Sequence, residues 1–431
     1  MLKKLLVLVS ASVVCFSANL HYSLHKLETN KGGDTLLIIG GIHGNEPGGY
    51  FAPMLFIKHY KIENGNVWVV PNLNFDSIVA NQRGIYGDMN RKFALIKTTD
   101  KDYKIVEDIK KLMLEPNVKL ILNLHDGHGF YRKYYKNGIF NPQAWGQACI
   151  IDQNALGGVK YGNLAEIASR VSQKNNVLLE EDVHEFNVKN TETKEKDQAM
   201  RQSLTYFAVQ NKKPAMAVET SKNITDVPTK VLYQLKSIEE FMCIMGIKFK
   251  RDFELNKPEI ERLLKENGNV IFSNSNSILP LDDIKEKINF FPVSQAKPSF
   301  SSDNPLVATL PSKNQMSIYN GNNKLVSVQV SPLDIDNSLA QTDIIADGKQ
   351  QRVKLASVVN IKNSVKIKAP DGYRVNIIGF SRSGVINEND IEVTKAVIDK
   401  NYSVDKSATA FRVEFYRGKS YCGNIIIKFE K

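Results

Sequence analysis

The chain has few of the residues that would make it a disulfide-stabilised protein. Its 431 residues include four cysteines, of which only Cys149, Cys243 and Cys422 follow the N-terminal segment. An odd, widely spaced set of cysteines excludes a disulfide framework, and a chain of this length buries sufficient core without one. The sequence also has no low-complexity tract and no internal repeat. With 42% hydrophobic and 24% charged residues, it is typical of a globular protein with room for two or three domains.

Long hydrophobic runs are absent beyond the N-terminus, which argues against a stable membrane span. Residues 1–18 combine a basic start, "MLKK", with the apolar stretch "LLVLVSASVVCF" and small residues that allow cleavage. This pattern predicts a signal peptide cleaved near residue 18 and a periplasmic protein. Cys15 raises the alternative of a lipoprotein, but the bulky Val14 before it does not fit the usual cleavage pattern.

The net charge of +11 favours an acidic partner over a basic one. The lysines are scattered and form no basic stripe interleaved with aromatic residues, so we expect no binding to nucleic acid. A carboxylate-rich polymer such as peptidoglycan fits this charge, although the charge also favours solubility without any partner.

Strand-like and helix-like segments alternate through the first half of the mature chain. Short runs rich in Val, Ile and Leu predict strands, and they lie at 35–40, 67–72, 119–125, 148–152 and 215–219. Amphipathic patterns between and after them predict helices at 102–114, 161–175 and 231–246. The alternation predicts an α/β domain over residues 19–246, with a mixed, largely parallel sheet and flanking helices.

The pattern changes near residue 247. One more helix is predicted at 258–269, and the remaining segments are β-type runs broken by "DG", "RSG" and "RGKS" turns. We therefore predict two small all-β domains, 247–340 and 341–431, the first barrel-like and the second an Ig-like sandwich. These domains could bind the cell wall or a partner protein, or only brace the first domain.

The stretch "GGIHGNEPGG" places His43 and Glu46 three residues apart directly after a predicted strand. The same spacing occurs in His25 and Glu28, which no strand precedes, so the spacing alone carries little information. In α/β sheets, ligands bind at the carboxyl ends of strands. Position therefore favours His43 and Glu46 as metal ligands, and His25 and Glu28 as surface or N-terminal strand residues.

A third ligand should follow another strand, because catalytic Zn²⁺ sites use three protein ligands and leave one position for water. "KLILNLHDGHGF" offers His125 at a strand end, with His128 as the alternative. Glu219 ends the strand in "AMAVETSKN", where an acidic residue is costly to bury without a task or a partner. We interpret Glu219 as the general base, with an ion pair to a lysine as the structural alternative.

The loop "NLNFDSIVANQRGIYGDMNRKF" carries Arg83 and Arg91 eight residues apart. Guanidinium groups bind carboxylates bidentately and stabilise oxyanions. The position of the loop directly after a strand favours a functional role over that of solvated surface residues.

Taken in order, "HGNE", "QRGIYGDMNRKF", "NLHDG" and "VET" resemble the zinc carboxypeptidases of the M14 metallopeptidase group over about residues 35–245. The resemblance implies one Zn²⁺ per chain, an oxyanion-stabilising Arg83, and Asn90 and Arg91 bound to the terminal carboxylate of the substrate. Two departures stand out: Met89 replaces the usual leucine, and Asp126 replaces a common serine. No substrate-capping tyrosine is identified, and the nearest tyrosines are Tyr131, Tyr134 and Tyr135.

The whole plan of the chain also resembles the cell-shape-determining peptidoglycan carboxypeptidases of curved and helical bacteria. This resemblance implies a DL-carboxypeptidase that trims muramyl tripeptide to dipeptide by cutting between D-Glu and meso-diaminopimelate. Arg91, Lys222 and the segment "FYRKYYK" are candidates to bind the carboxylates of such a muropeptide. Some members of the group replace the first histidine ligand with glutamine, whereas this chain keeps His43.

Two alternatives remain open from the sequence. The motifs also resemble the aspartoacylase and succinylglutamate-desuccinylase branch, zinc deacylases of small acylated amino acids, whose members typically lack the signal and the β-type C-terminal half. The second alternative is a non-catalytic wall-binding protein, against which the intact set of ligands, arginines and base argues.

Overall fold

A seven-stranded mixed sheet forms the centre of the N-terminal domain. The computed structural model describes residues 20–29, 33–177, 179–295 and 299–430, so the predicted signal peptide and Cys15 lie outside the described residues. The strands, in spatial order, are His25–Glu28, Asn66–Val70, Thr35–Ile39, Val118–Gly127, Ala215–Ser221, Ala148–Ile151 and Asn187–Asn190. Four of the six neighbouring pairs are parallel, which confirms the predicted mixed, largely parallel sheet.

Helices cover the sheet, and the Pro47–His59 and Val227–Ile244 helices pack against each other and against its central strands. The others are Phe75–Val79, Tyr103–Leu114, Leu164–Asn175, Thr193–Lys196, Leu204–Gln210 and Lys257–Leu263. Short 3₁₀ turns lie at Met89–Arg91, Asp182–His184, Met200–Gln202, Ser273–Ser275, Lys395–Val397 and Lys400–Tyr402. Among the described residues, no helix has the length and apolar character needed to cross a bilayer.

The core of the first domain extends past the predicted boundary at residue 246. The Lys248–Arg251 strand pairs with Tyr60–Asn64, and Ile260 and Leu263 belong to the same core as the central sheet. The predicted helix 258–269 ends at Leu263, and Gly268, with a left-handed φ of +79°, directly precedes the next strand.

The remaining chain is all β, as predicted. A three-stranded sheet contains Asn269–Phe272, Ser277–Pro280 and Phe300–Ser302, and a four-stranded sheet contains Lys287–Ser294, Val307–Pro311, Gln315–Asn320 and Asn323–Leu333. Two further four-stranded sheets contain Gln341–Ala346, Lys349–Lys354, Ser364–Lys368 and Glu392–Thr394, and Val358–Ile361, Arg374–Ile377, Ala410–Arg417 and Ser420–Phe429. In the first domain, the short strands Phe130–Tyr131 and Phe140–Asn141 form one further pair.

The β half has two hydrophobic cores, and the last strands contribute to both. Val404, Ala410 and Ile426 pack into the core built mainly from residues 270–328, whereas Ile425 and Ile427 pack into the core of the final two sheets. The two β modules therefore share a packed interface. All three cysteines after the N-terminal segment are free, as predicted.

Candidate metal centre and active site

Three buried side chains from two elements of the first domain converge at the carboxyl edge of the sheet. His43 and Glu46 lie in the turn between the Thr35–Ile39 strand and the Pro47–His59 helix, and His125 lies in the Val118–Gly127 strand. Their relative exposures are 2%, 3% and 3%. His43 Nδ1 is 3.0 Å from Glu46 Oε1, and His125 Nδ1 is 2.9 Å from Glu46 Oε2. One ligand atom from each residue lies within 4.8 Å of the others, so the predicted trio forms a metal-binding constellation.

The turn geometry explains why this H-x-x-E pair converges. Glu46 is the N-cap of the Pro47–His59 helix, but its side chain makes no capping hydrogen bond, so both carboxylate oxygens point to the histidines. Gly41 has a φ of +72°, and a Cβ atom on Gly44 would lie 2.0 Å from the backbone of Ser77. Glycine is therefore required for conformation at Gly41 and for close backbone approach at Gly44.

The other pair of this spacing is used structurally. His25 and Glu28 lie in the edge strand, where His25 Nε2 is 3.0 Å from Ser23 Oγ and Glu28 accepts a hydrogen bond of 2.7 Å from Trp68 Nε1. The prediction that they are N-terminal strand residues is confirmed.

Asp88 orients the first histidine, and its role was not identified from the sequence. His43 Nε2 donates to Asp88 Oδ1 at 2.9 Å, which leaves Nδ1 with a lone pair for a metal. Burial alone would lower the pKa of His43, but the carboxylates of Glu46 and Asp88 outweigh it and raise the pKa. The aspartate at the start of "DMNR" was the sequence signal for this role. Metal-binding histidines usually donate a hydrogen bond from their other ring N–H to a carboxylate or carbonyl.

Two cations flank the carboxylate of Glu46. Arg83 Nη1 lies 3.2 Å from Glu46 Oε1, and its Nε lies 3.0 Å from Asp88 Oδ2. Lys222 Nζ is also 3.2 Å from Glu46 Oε1. Burial opposes ionisation of Glu46, yet His43 and His125 hold its pKa well below the usual range. The structure thus places Arg83 and Lys222 beside the metal-binding residues.

Glu219 lies next to His125 because the two strands pair in parallel with these residues in register. Cross-strand partners project from the same face of a sheet, so the Glu219 carboxylate lies on the metal side. Burial raises the pKa of Glu219 to about 7, and attraction to His125 offsets this only in part. A carboxyl group poised near neutrality is suited to proton transfer.

The opposite face of the same two strands carries a buried polar network centred on Asp126. Its carboxylate accepts hydrogen bonds from Thr220 Oγ1 and, at 3.0 Å, from the Gly48 backbone nitrogen, and it lies 3.7 Å from Lys230 Nζ. Asp126 therefore connects the first turn of the Pro47–His59 helix, which follows Glu46, to the strand that carries Glu219. The departure from the familiar serine has a structural use here.

Asn90 and Arg91 form the 3₁₀ turn that follows Asp88. The Asn90 side-chain oxygen accepts from the Leu204 backbone nitrogen at 2.9 Å, and Arg91 Nη1 donates to the Asn90 carbonyl at 3.0 Å. An amide and a guanidinium retain further N–H donors after these bonds. Their predicted contact with a substrate carboxylate stays a prediction.

Two further candidates from the sequence, His128 as a metal ligand and the segment "FYRKYYK" as a carboxylate-binding segment, lie outside the metal-binding group. His128 is exposed in the loop after the strand and does not belong to the ligand group, which contains His125. Arg132 of "FYRKYYK" is buried and donates to the carbonyls of Val183 and Glu185 at 2.8 and 3.0 Å. The expectation that this segment meets substrate carboxylates is therefore wrong for Arg132, which braces a neighbouring loop.

Comparison with known proteins places the chain in a family. Residues 2–265 match the Peptidase_M99 model, described as the catalytic part of a carboxypeptidase controlling helical cell shape. The chain belongs to this family. Residues 335–430 match the model of a C-terminal domain of metallo-carboxypeptidase. The family resemblance drawn from the motifs is thus confirmed, and the chain is a metallo-carboxypeptidase.

Solved structures similar to this chain include several of the cell shape determinant Csd4 from Helicobacter pylori. The apo and tripeptide-bound forms each have a TM-score of 0.86 and 34% identity, covering 95% of this chain and 100% of that chain. The mDAP-bound form, described as a D,L-carboxypeptidase, has a TM-score of 0.86 and 35% identity, covering 94% and 100%. A search of curated proteins gives no match.

Proposed function

We propose that the protein is a zinc-dependent peptidoglycan DL-carboxypeptidase that trims muramyl tripeptide to dipeptide and so influences cell shape. One observation carries the proposal. The chain aligns along 95% of its length with tripeptide-bound and product-bound Csd4, and it has a complete His43, Glu46 and His125 set beside Glu219. The scissile bond is that between D-Glu and meso-diaminopimelate.

The donor set fits Zn²⁺. Two imidazole nitrogens and one carboxylate within 4.8 Å match the ligands of catalytic zinc sites, and Asp88 supplies the usual outer hydrogen bond. When bound, Zn²⁺ supplies Lewis-acid chemistry, polarising a carbonyl and lowering the pKa of water.

Glu219 provides the proton transfers. Its carboxylate takes a proton from the attacking water, whose oxygen forms the new bond to the carbonyl carbon. As the C–N bond breaks, the same carboxyl delivers a proton to the amine nitrogen of the leaving diaminopimelate. The raised pKa of about 7 allows Glu219 to act in both directions near neutral pH.

The remaining residues bind and orient the substrate. Arg83, held by Asp88, is placed to stabilise developing negative charge on the carbonyl oxygen. Asn90 and Arg91 bind the terminal carboxylate, and Lys222 binds a further substrate carboxylate close to the metal ligands. A substrate with several carboxylates suits this cluster of cations.

We also propose that the second domain is barrel-like and that the last domain is Ig-like, since each is all β with its own hydrophobic core.

We further propose that the protein is located in the periplasm. The N-terminal pattern of residues 1–18 and the wall substrate support export. Cell fractionation, with mass spectrometry of the mature N-terminus, tests this. A mature protein that begins at Met1 and fractionates with the cytoplasm would contradict it.

Digestion of purified muropeptides tests the activity. The wild-type protein should convert tripeptide to dipeptide plus free diaminopimelate, read by chromatography and mass spectrometry, and a chelator should stop the reaction. Glu219→Gln should retain one equivalent of zinc while turnover falls by about 100-fold or more, whereas His125→Ala should lose zinc. The matched variant His128→Ala should keep both zinc and turnover.

Two outcomes would redirect the assignment. A zinc-loaded protein that leaves tripeptide intact but hydrolyses a small N-acylated amino acid would favour the deacylase alternative. A chain without zinc and without hydrolysis of either substrate would favour a non-catalytic wall-binding protein.

A further inference from the structure

The segment "FYRKYYK" ends in an exposed tip, residues 133–136, that takes no part in the metal-binding group. The tip lies in the loop 128–146, which follows the strand of the metal-binding residue His125. We propose that the tip binds an acidic stem peptide of polymeric peptidoglycan, next to the stem that is being cleaved. This inference rests on the proposed function and adds a second substrate contact to it.

The loop starts at the rim of the active site. The carbonyl of Gly127 accepts from the backbone nitrogen of Lys222 at 2.7 Å, and that of Gly129 accepts from Ser221 Oγ at 2.6 Å. These bonds join the start of the loop to the end of the strand that carries Glu219. The tip begins six residues after Gly127, and an extended chain spans at most about 3.5 Å per residue, so the tip begins within about 20 Å of Gly127. A polymer with one stem at the metal therefore has neighbouring stems near the tip.

Two cations hold the arms of the loop. On the outgoing arm, Arg132 donates to the backbone carbonyl of Glu185 at 3.0 Å and faces the carboxylate of the same residue at 3.6 Å. On the return arm, Lys189 Nζ donates to the carbonyls of Pro142 and Ala144, each at 2.9 Å. The loop is thus a braced support, and a preorganised contact surface loses less conformational entropy when a ligand binds.

The turn that follows the tip is closed by Asn137. Its side-chain oxygen accepts from the backbone nitrogens of Ile139 and Phe140, both at 3.0 Å. The backbone nitrogen of Lys136, the last tip residue, donates to the carbonyl of Phe140 at 2.9 Å. The backbone at the end of the tip is therefore fixed, while the side chains of the tip remain in solvent.

The tip combines two aromatic rings with two cations. Tyr134 and Tyr135 are 75% and 71% exposed. Lys133 and Lys136 are exposed as well, and neither forms an ion pair within the described part of the chain. Two such ammonium groups favour an anionic ligand, and adjacent tyrosines offer apolar contact area together with hydroxyl groups. A stem peptide, with methyl groups and several carboxylates, has the complementary chemistry.

Digestion of intact sacculi, compared with digestion of free muramyl tripeptide, tests the inference. The double variant Tyr134→Ala/Tyr135→Ala should digest sacculi about tenfold more slowly, because the contact with a second stem is lost. Its kcat/KM on free tripeptide should stay within about twofold of the wild type, since that substrate has no second stem. Both rings are exposed, so the variant should fold.

Tyr402→Ala is the matched control, because it removes a 56% exposed ring from the last module. This variant should digest both substrates like the wild type. Equal digestion of sacculi by the tyrosine double variant and by the control would overturn the inference. An equal loss on sacculi and on free tripeptide would also overturn it, because the tyrosines would then contact the cleaved stem itself.

Co-sedimentation with sacculi measures binding without digestion when every protein also carries Glu219→Gln. Lys133→Gln/Lys136→Gln should weaken binding about fivefold at low salt and reduce its salt dependence, because exposed charges are screened by ions. If the wild type leaves free tripeptide intact, the proposed carboxypeptidase activity fails, and co-sedimentation alone decides the role of the tip. Binding that the tip variants weaken supports the inference, and binding that they leave unchanged overturns it.

Discussion

At the scale of single residues, the site depends on side chains whose two polar atoms have different partners. His43 Nδ1 faces Glu46, and its Nε2 N–H donates a hydrogen bond to Asp88. The two carboxylate oxygens of Glu46 contact one histidine each. Glu219 has no such set of partners, and burial raises its pKa to about 7. The free-energy cost of burying Glu219 is thus coupled to its task as a base.

Replacing Glu219 should separate activity from stability. Glu219→Gln should lower turnover by about 10²–10⁴-fold, because the proton acceptor is lost. In the wild type, kcat/KM should fall as the pH decreases through the pKa of Glu219. This pKa is about 7 in the metal-free protein, and a bound cation lowers it, so the fall should occur at or below about pH 7. A pH–rate profile measures this, and an acid limb above pH 8 would contradict it.

The same substitution should stabilise the metal-free protein at high pH. The folded-state pKa of Glu219 is raised from 4.5 to about 7, so ionisation costs stability that grows between these values and is constant above them. Thermal unfolding should show Glu219→Gln above wild type at pH 8 and equal to it at pH 4. The opposite sign would mean that the carboxylate is stabilised by a partner.

Asp88→Asn should weaken zinc binding by about 10–100-fold, because His43 loses the carboxylate that fixes its orientation and raises its basicity. Competition with a metal indicator measures the affinity. The matched variant Glu28→Gln, in the structural H-x-x-E pair, should leave it unchanged. Equal affinity of the Asp88 variant and the wild type would refute the orienting role.

At the scale of elements, two strands and one helix start bring the chemistry together. Pairing in register places Glu219 beside His125 on one face and Thr220 beside Asp126 on the other. Asp126 in turn binds the backbone nitrogen of Gly48, at the start of the helix that follows Glu46. The metal face therefore depends on close packing on the reverse face.

Gly48→Ala should disturb this packing. The new Cβ would lie 2.4 Å from Asp126 Oδ1 and 2.9 Å from Lys230 Cβ, so the helix start or the network must shift. We expect a loss of about 1–3 kcal/mol in unfolding free energy together with weaker zinc binding. Gly138→Ala, where nothing lies within 4 Å, is the control for denaturant titration. A Gly48 variant as stable as this control would contradict the packing argument.

At the scale of the whole molecule, the two β modules pack against each other through shared strands. The last strand alternates its side chains between two cores, Ile425 into that of the final sheets and Ile426 into that of the preceding module. Leu306 and Ala308 of the preceding module pack into the core of the catalytic domain. The three parts thus form a chain of shared cores.

Ile426→Ala should loosen the middle module even though it lies in the last strand. Removing a fully buried isoleucine costs about 2–5 kcal/mol. Hydrogen exchange should show reduced protection in the Gln315–Asn320 strand for Ile426→Ala, but not for the adjacent Ile425→Ala. Identical exchange patterns for the two variants would mean that the cores are not separate.

The sequence by itself determined the order of elements, the class of each part and most of the ligand set. Apolar runs of five to seven residues and strand-end histidines are local signals, so the five predicted strands and His43, Glu46 and His125 could be identified from them. It could not determine the role of Asp88 or the use of Arg132, and it left His128 open as the alternative to His125. Those depend on which side chains meet across distant loops and on strand register.

Only the tertiary structure showed which partners each H-x-x-E pair meets. His25 and Glu28 face partners on an edge strand, while His43 and Glu46 meet a residue 79 positions beyond Glu46. Hydrophobic periodicity specifies which residues are buried within an element, but not which elements pack together. Partner identity arises from long-range packing, and the metal-binding group exists only once that packing is complete.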